Sequence, residues 1–197
     1  MSIFIAVVAA YLIGSINFAV LVGKMNGVNI DEAGSGNPGA SNVLRTMGKG
    51  PAAVVYVADT VKGIIGAAMG MVAAGSTDPQ IHWAFLCGLA AVVGHCYPIF
   101  HKFRGGKGVA TAGGVFIFTL PWVALILTVV WVVSVRLTKT ASLGSLLVMI
   151  LTIPLALWQG VEGMSLVWIG LMLLLVLWRH RGNISRMVRG NEQKVTT

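Results

Sequence analysis

The sequence predicts an all-α integral membrane protein of seven transmembrane helices, amino terminus outside and carboxyl terminus cytoplasmic, folded as one domain over 1–197. Three observations lead there. The chain is 56% hydrophobic and 10% charged, with a mean hydropathy of +0.85, whereas roughly a quarter of a soluble domain is charged. Apolar runs of about bilayer length recur from end to end. The lysines and arginines gather at alternate connections between those runs. Helices are required, because a bilayer core offers backbone groups no other partners and the runs lack the two-residue alternation of a barrel.

Taken in order, 2–23 is the first apolar run and reads as span one; with no basic segment leading into it, it does not resemble a cleavable signal. A long polar loop, 24–50, follows, and its length alone suggests function. Span two is 51–74, with Pro51 suited to a helix start. After a short turn at 75–80, span three is 81–100. The run 109–137 is apolar apart from Arg136 and would make a helix of about 43 Å, too long for one span and too short for two full ones. Pro121 sits near its middle, removes a backbone donor and disfavours helix at the residue before it. The expectation is a shortened span four over 111–120 and span five over 121–137. Span six is 143–159 and span seven 164–178, followed by a polar, basic tail.

Charge tests this division. With seven spans, Lys24, Arg45 and Lys49, then Lys102, Arg104 and Lys107, then Arg136 and Lys139, then Arg179, Arg181, Arg186, Arg189 and Lys194 share one side. The remaining cation, Lys62, lies inside span two, and the opposite connections hold Asp78 and Glu162 without lysine or arginine. Merging spans four and five would move Arg136, Lys139 and the whole tail across the membrane, against the positive-inside rule. The net charge of +8 thus tracks orientation and gives no reason to invoke nucleic acid. Cys87 and Cys96 show no CxxC spacing, so neither a disulfide framework nor a zinc site is indicated.

Three polar stretches fall on the predicted cytoplasmic side: GSGNPGASNVLR at 34–45, HKFRGGKGVAT at 101–111 and RHRGNISRMVRG at 179–190. Basic residues there would serve orientation in any membrane protein. Glycine-rich backbone beside cations asks for more: glycine lets successive amides approach an anion, and lysine or arginine neutralises it. Gly105, Gly106, Lys107 and Gly108 fit that description, although GKG is not a nucleotide P-loop, lacking the following serine or threonine. Ser35, Gly36, Asn37 and Asn42 combine turn formers with hydrogen-bonding side chains, and Arg45 follows one helical turn later. His180 and Asn183 lie three apart on one helical face. In span two, Asp59 and Lys62 have the same spacing and read as a supporting intramembrane ion pair. No cluster has metal-ligand spacing, and no metal or cofactor is called for.

GSGNPGASN, GHCYPIFHKFRGGKGVAT, RHRGNISRMVRG and DTVKG closely resemble motifs of the bacterial PlsY family, the acyl-phosphate:glycerol-3-phosphate acyltransferases, in order and spacing over nearly the whole chain. The resemblance implies a multi-pass enzyme of the bacterial inner membrane that moves a fatty acyl group from acyl phosphate to the 1-hydroxyl of sn-glycerol 3-phosphate, the first acylation of phospholipid synthesis. It places Ser35, Asn37, Asn42 and Arg45, then His95 and Lys107 with the glycines, then His180 and Asn183, at the site. It adds Ser142. It also leaves room for transient contact with the acyl-phosphate-producing enzyme.

The residues agree with that chemistry. Acyl phosphate is already activated, so the protein need only position donors and stabilise oxyanions. No GxSxG elbow marks a nucleophilic serine, and no HxxxxD pair occurs: five residues after His82, His95, His101 and His180 stand Cys87, Phe100, Gly106 and Ser185. Direct transfer without an acyl-enzyme is expected, with Arg45 and Lys107 holding phosphates. Asn183 would orient the acceptor or polarise the acyl carbonyl, and the proton would pass to His180 or to a substrate phosphate oxygen. Gly63, Gly66, Gly70, Gly113 and Gly114 would either line an acyl-chain groove or let helices pack closely. An organic-phosphate transporter would also pool cations, but should carry a midplane site and repeated halves, and no repeat is found.

Overall fold

The computed structural model describes residues 2–76 and 81–195; Asp78, assigned to an outer connection, lies outside them. The chain forms α1 (Ile3–Gly14), α2 (Phe18–Met25), α3 (Ala40–Met47), α4 (Lys49–Ala74), α5 (Ile81–Cys96), a 3-10 turn (Ile99–His101), α6 (Val109–Thr119), α7 (Pro121–Thr138), α8 (Ala141–Trp158), α9 (Met164–Arg179) and α10 (Arg181–Val188). Among the described residues, five segments are long and apolar enough to cross a bilayer: α1 with α2, α4, α5 with its 3-10 turn, α7 and α8. The pair α9 and α10, bent by 52°, gives a sixth when it is counted as one span, and α6 is a shorter apolar helix of 11 residues. Large apolar side chains such as Phe4, Val54, Trp122, Ile150 and Trp158 are exposed around the bundle, a surface suited to lipid rather than water.

The break ahead of Pro121 is where the sequence puts it. Leu120 leaves the helical region (φ −138°, ψ 68°) and Pro121 opens α7. The start of α6 is two residues earlier than expected, because Gly108, at φ +87°, turns the chain directly into Val109. Such a left-handed angle favours glycine.

Span one is interrupted, contrary to its uniformly apolar reading. Ser15 closes α1, its hydroxyl donating to Tyr11 O at 2.9 Å, and Asn17 caps α2 by accepting from Val20 N. A broken helix leaves carbonyls without partners, which is costly in a membrane. The Ile16 carbonyl finds one in Lys62 Nζ, 3.1 Å away on α4. Hydropathy cannot register this, since the break is stabilised from another helix.

Helix α4 is the centre of the bundle, packed on α1, α5 and α6. The glycines decide how closely. A Cβ on Gly63 would overlap the Thr111 carbonyl and one on Gly114 the Thr60 carbonyl, so α4 and α6 meet backbone to backbone. Gly66 faces Ala91 and Cys87 of α5, and Gly70 the Trp83 carbonyl. Close packing, the second of the two expected uses, accounts for these glycines; Gly113 alone of the five meets nothing within 4 Å. An apolar cleft of about 740 Å³ opens on another face of α4, against α1 and α2, lined by Ile13, Ile16, Phe18, Val57, Val61 and Lys62 among others.

Gly63→Ala should therefore destabilise the purified protein by about 1–3 kcal/mol through overpacking, seen as a lower thermal midpoint in detergent. Gly113→Ala should leave the midpoint unchanged or raise it slightly, because helix propensity favours alanine.

Candidate active site

The first polar stretch is a loop held from inside by one side chain. Asn42, 1% exposed, accepts from Ser35 N at 2.8 Å and donates to the Ala33 carbonyl at 2.9 Å and the Ile30 carbonyl at 3.5 Å. Gly34, at φ +60°, lies where a side chain would strike the Asn42 amide oxygen. Asn42 is thus a loop holder turned away from the solvent face, where the sequence motif suggested a substrate contact. Ser35 stands exposed at the rim, with Gly36 and Asn37 partly covered beside it; Ser35 Oγ accepts from Asn37 N at 3.4 Å.

The second stretch packs against the first. A Cβ on Gly106 would meet the Pro38 carbonyl and overlap His95 Nε2, so loop 34–39 and loop 105–108 lean on each other with His95 beneath. The Gly106 amide donates to the His95 carbonyl at 3.1 Å. Behind His95 lies the predicted pair: Asp59 Oδ1 is 2.7 Å from Lys62 Nζ and 3.5 Å from His95 Nδ1, all three buried. His95, Asp59 and Lys62 form a polar column inside the bundle that supports the loop and ends at the apolar cleft. His101 Nε2, 2.8 Å from Asp31 Oδ2, ties the second stretch to the chain just ahead of the first.

The third stretch grips the second through Arg179, which the sequence reading did not single out. Its Nη2 donates to the Gly105 carbonyl at 2.6 Å and its Nε to the Gly106 carbonyl at 3.0 Å, while the guanidinium lies over the Tyr97 ring, 5.2 Å from its centroid. Buried glycine carbonyls need donors, and a planar fork supplies two at once. At the α9–α10 bend, His180 is buried with Nδ1 2.7 Å from the Val176 carbonyl. A carbonyl only accepts, so Nδ1 bears the proton and Nε2 keeps its lone pair. Burial pushes the His180 pKa down to about 4, opposed by the Val176 hydrogen bond and Glu192 and reinforced by Lys107 and Arg179; the ring is neutral at physiological pH.

Lys107, Arg45, Arg179 and Arg186 share an electrostatic neighbourhood. Burial lowers the Lys107 pKa to about 8; Glu192 opposes this, and the three arginines add to it. Glu192 itself accepts from Ser142 Oγ at 2.8 Å, from Asn183 Nδ2 and from Arg186 Nε at 2.9 Å. Arg45 donates to the Lys194 and Gln193 carbonyls at 3.2 and 3.3 Å. Glu192 escaped the sequence reading because the tail looked simply basic. A signal existed in principle: it is one of six acidic residues, set among cations just beyond the third motif.

A sequence model described as Glycerol-3-phosphate acyltransferase matches residues 4–190. The chain belongs to the glycerol-3-phosphate acyltransferase family. Relatives of that name include one from Pseudomonas syringae pv. tomato, 41% identical over 93% of this chain and 93% of its own length. Another, from Bacillus velezensis, is 41% identical over 99% of this chain and 98% of its own. Among solved structures, the glycerol 3-phosphate form of PlsY, an integral membrane glycerol 3-phosphate acyltransferase, superposes with a TM-score of 0.91 at 36% identity, covering 99% of this chain and 96% of that one. The lysophosphatidic acid form gives 0.88 at 37%, covering 98% and 94%.

Arg179→Lys retains the charge but loses the two-point grip on Gly105 and Gly106. Hydrogen bonds involving a charged group contribute about 1.5–3 kcal/mol, so acylation of glycerol 3-phosphate should fall at least about tenfold in kcat/KM. Unchanged kinetics would mean the loop holds its shape without the fork.

Proposed function

We propose that this chain transfers a fatty acyl group from acyl phosphate to the 1-hydroxyl of sn-glycerol 3-phosphate at the cytoplasmic face of a bacterial inner membrane. It does so as a seven-span protein with its amino terminus outside, α6 serving as the short fourth span. The observation that supports the chemistry best is the meeting of Arg45, Lys107, Arg179 and Arg186 beside a buried neutral histidine. Such a site suits two phosphate-bearing substrates.

In the reaction, the glycerol hydroxyl oxygen attacks the acyl carbonyl carbon. The new ester bond forms, the bond from that carbon to the phosphate-bridging oxygen breaks, and phosphate departs with the electron pair. Cations in a poorly solvated site stabilise the developing oxyanion and the leaving phosphate. His180 Nε2 can accept a hydrogen bond from the attacking hydroxyl, but a base with so low a pKa is a poor final proton acceptor. The proton therefore ends on the departing phosphate, and the products balance as lysophosphatidic acid and hydrogen phosphate. No acyl-enzyme is needed, since the donor is an activated anhydride. The apolar cleft beside α4 has the chemistry to accommodate an acyl tail.

Detergent-purified protein given labelled glycerol 3-phosphate should form lysophosphatidic acid with acyl phosphate and not with acyl-CoA. Lys107→Ala and His180→Ala should each lower kcat/KM by about a hundredfold or more, the scale of losing an oxyanion or phosphate partner. Near wild-type rates for both, or a burst of covalent acyl-enzyme, would defeat this reading.

The pH profile carries a sign. Lys107 is cationic below about pH 8 and loses its proton as the pH rises through that value. The KM for glycerol 3-phosphate should accordingly climb on the alkaline side. In Lys107→Arg, whose guanidinium stays protonated, that climb should disappear even if turnover is slower.

A further inference from the structure

Glu192 joins elements that the motifs leave separate. Its side chain is 7% exposed, and its two oxygens take hydrogens from α8 (Ser142) and α10 (Asn183 and Arg186). The segment beyond is pinned as well: Arg45 of α3 holds the Gln193 and Lys194 carbonyls, and Val195, 5% exposed, donates its amide to the Lys139 carbonyl at 2.6 Å. Residues 192–195 are thus a strap across α3, α8, α10 and the α7–α8 turn.

Ionised carboxylates accept hydrogen bonds and cannot donate them. Ser142 therefore gives its one hydroxyl hydrogen to Glu192 and keeps only lone pairs for anything else. Asn183 turns its amide nitrogen to the same oxygen, so its carbonyl oxygen points elsewhere. Ser142 thereby offers only acceptors to a neighbouring ligand, and Asn183 offers its carbonyl oxygen beside one remaining N–H; acceptors suit hydroxyl groups while repelling phosphate oxygens. We propose that Glu192 is a positioning residue of the acyl-acceptor site: it sets Ser142 and Asn183 to receive the hydroxyls of the glycerol moiety and leaves the phosphate to Arg45 and Lys107. This rests on the reading that glycerol 3-phosphate is the acceptor, and it replaces carbonyl polarisation as the role of Asn183.

The carboxylate has a second, electrostatic consequence. Lys107 is faced by Arg45 from α3, Arg179 from α9, Arg186 from α10 and Glu192 from the strap, with His180 close by. Among these Glu192 is the one anion. Removing its charge makes the Lys107 ammonium harder to keep and moves the alkaline limit of activity to lower pH.

The test uses the full chain in detergent, with acyl phosphate as donor and three variants, Glu192→Gln, Glu192→Asp and Glu192→Ala. Glu192→Gln and Glu192→Ala should raise the KM for glycerol 3-phosphate roughly tenfold to a hundredfold, the range for hydrogen bonds to a charged group, with the KM for acyl phosphate little changed. Glu192→Asp should recover part of the loss. Glu192→Gln should also move the alkaline limb of the pH profile to lower pH. Its preference for glycerol 3-phosphate over propane-1,3-diol monophosphate, which lacks the middle hydroxyl, should shrink. Glu192→Gln has nearly the wild-type shape and decides the matter alone if Glu192→Ala does not fold. Wild-type KM, pH limb and preference in Glu192→Gln overturn the proposal. Faster turnover overturns it too, because the strap would then be a plug competing with substrate. Wild-type protein that makes no product from acyl phosphate sinks the donor reading instead, whereas active wild type with unaffected variants sinks only the role of Glu192.

Discussion

Four cations held together at a membrane surface repel one another, and the site exists because that repulsion is offset in place. Glu192 supplies the local negative charge, and backbone carbonyls supply the rest: Arg179 spends its fork on Gly105 and Gly106, and Arg45 on Gln193 and Lys194. Arg186 is neutralised directly by Glu192. Lys107 is the cation whose charge is least secured: burial first, and then the three arginines, lower its pKa to about 8 against the pull of Glu192. A phosphate arriving there would relieve the imbalance, so substrate binding and electrostatic repair are the same event.

Lys107 is carried on a loop, while Arg45, Arg179 and Arg186 stand on α3, α9 and α10; the two loops of the site have little structure of their own and are shaped by partners. Asn42 replaces three missing backbone contacts in the first loop. His95 supports the second from below, and Arg179 from the side. Beneath them the backbone contact of α4 with α6 fixes how far apart the helices stand, and glycine at Gly63 and Gly114 makes that distance possible. Lys62 links the two layers. It pairs with Asp59 and also satisfies the carbonyl freed by the break between α1 and α2.

This division of labour suits the proposed reaction, in which the donor is already activated. For that reaction the protein would have to bring two anions together, exclude some water and keep a hydroxyl pointed at a carbonyl carbon. In the proposed reaction a neutral His180 with a single free lone pair, and acceptors on Asn183 and Ser142 set by Glu192, would be sufficient for orientation without a strong base.

Much of the architecture was legible in the sequence. Apolar run lengths located the apolar helices within a few residues, Pro121 marked the division of the 109–137 run, and three polar, glycine-containing stretches marked the two loops and the α9–α10 bend that meet. These are properties of contiguous residues, and local chemistry records them. The interruption at Ser15, the inward turn of Asn42, the use of the glycines for packing and the hub at Glu192 were not legible. Each depends on an atom contributed from elsewhere in the chain: Lys62 for the first, the carbonyls of Ile30 and Ala33 for the second, facing backbones for the third. For Glu192 the partners lie on two helices, one of them 50 residues away. The sequence by itself determined which segments leave water and which residues have the chemistry to bind an anion, because partitioning and charge belong to side chains one at a time. Tertiary structure alone decided which of those residues spend their hydrogen bonds on the protein and which keep them for a ligand, because a hydrogen bond is settled only when both of its ends are in place.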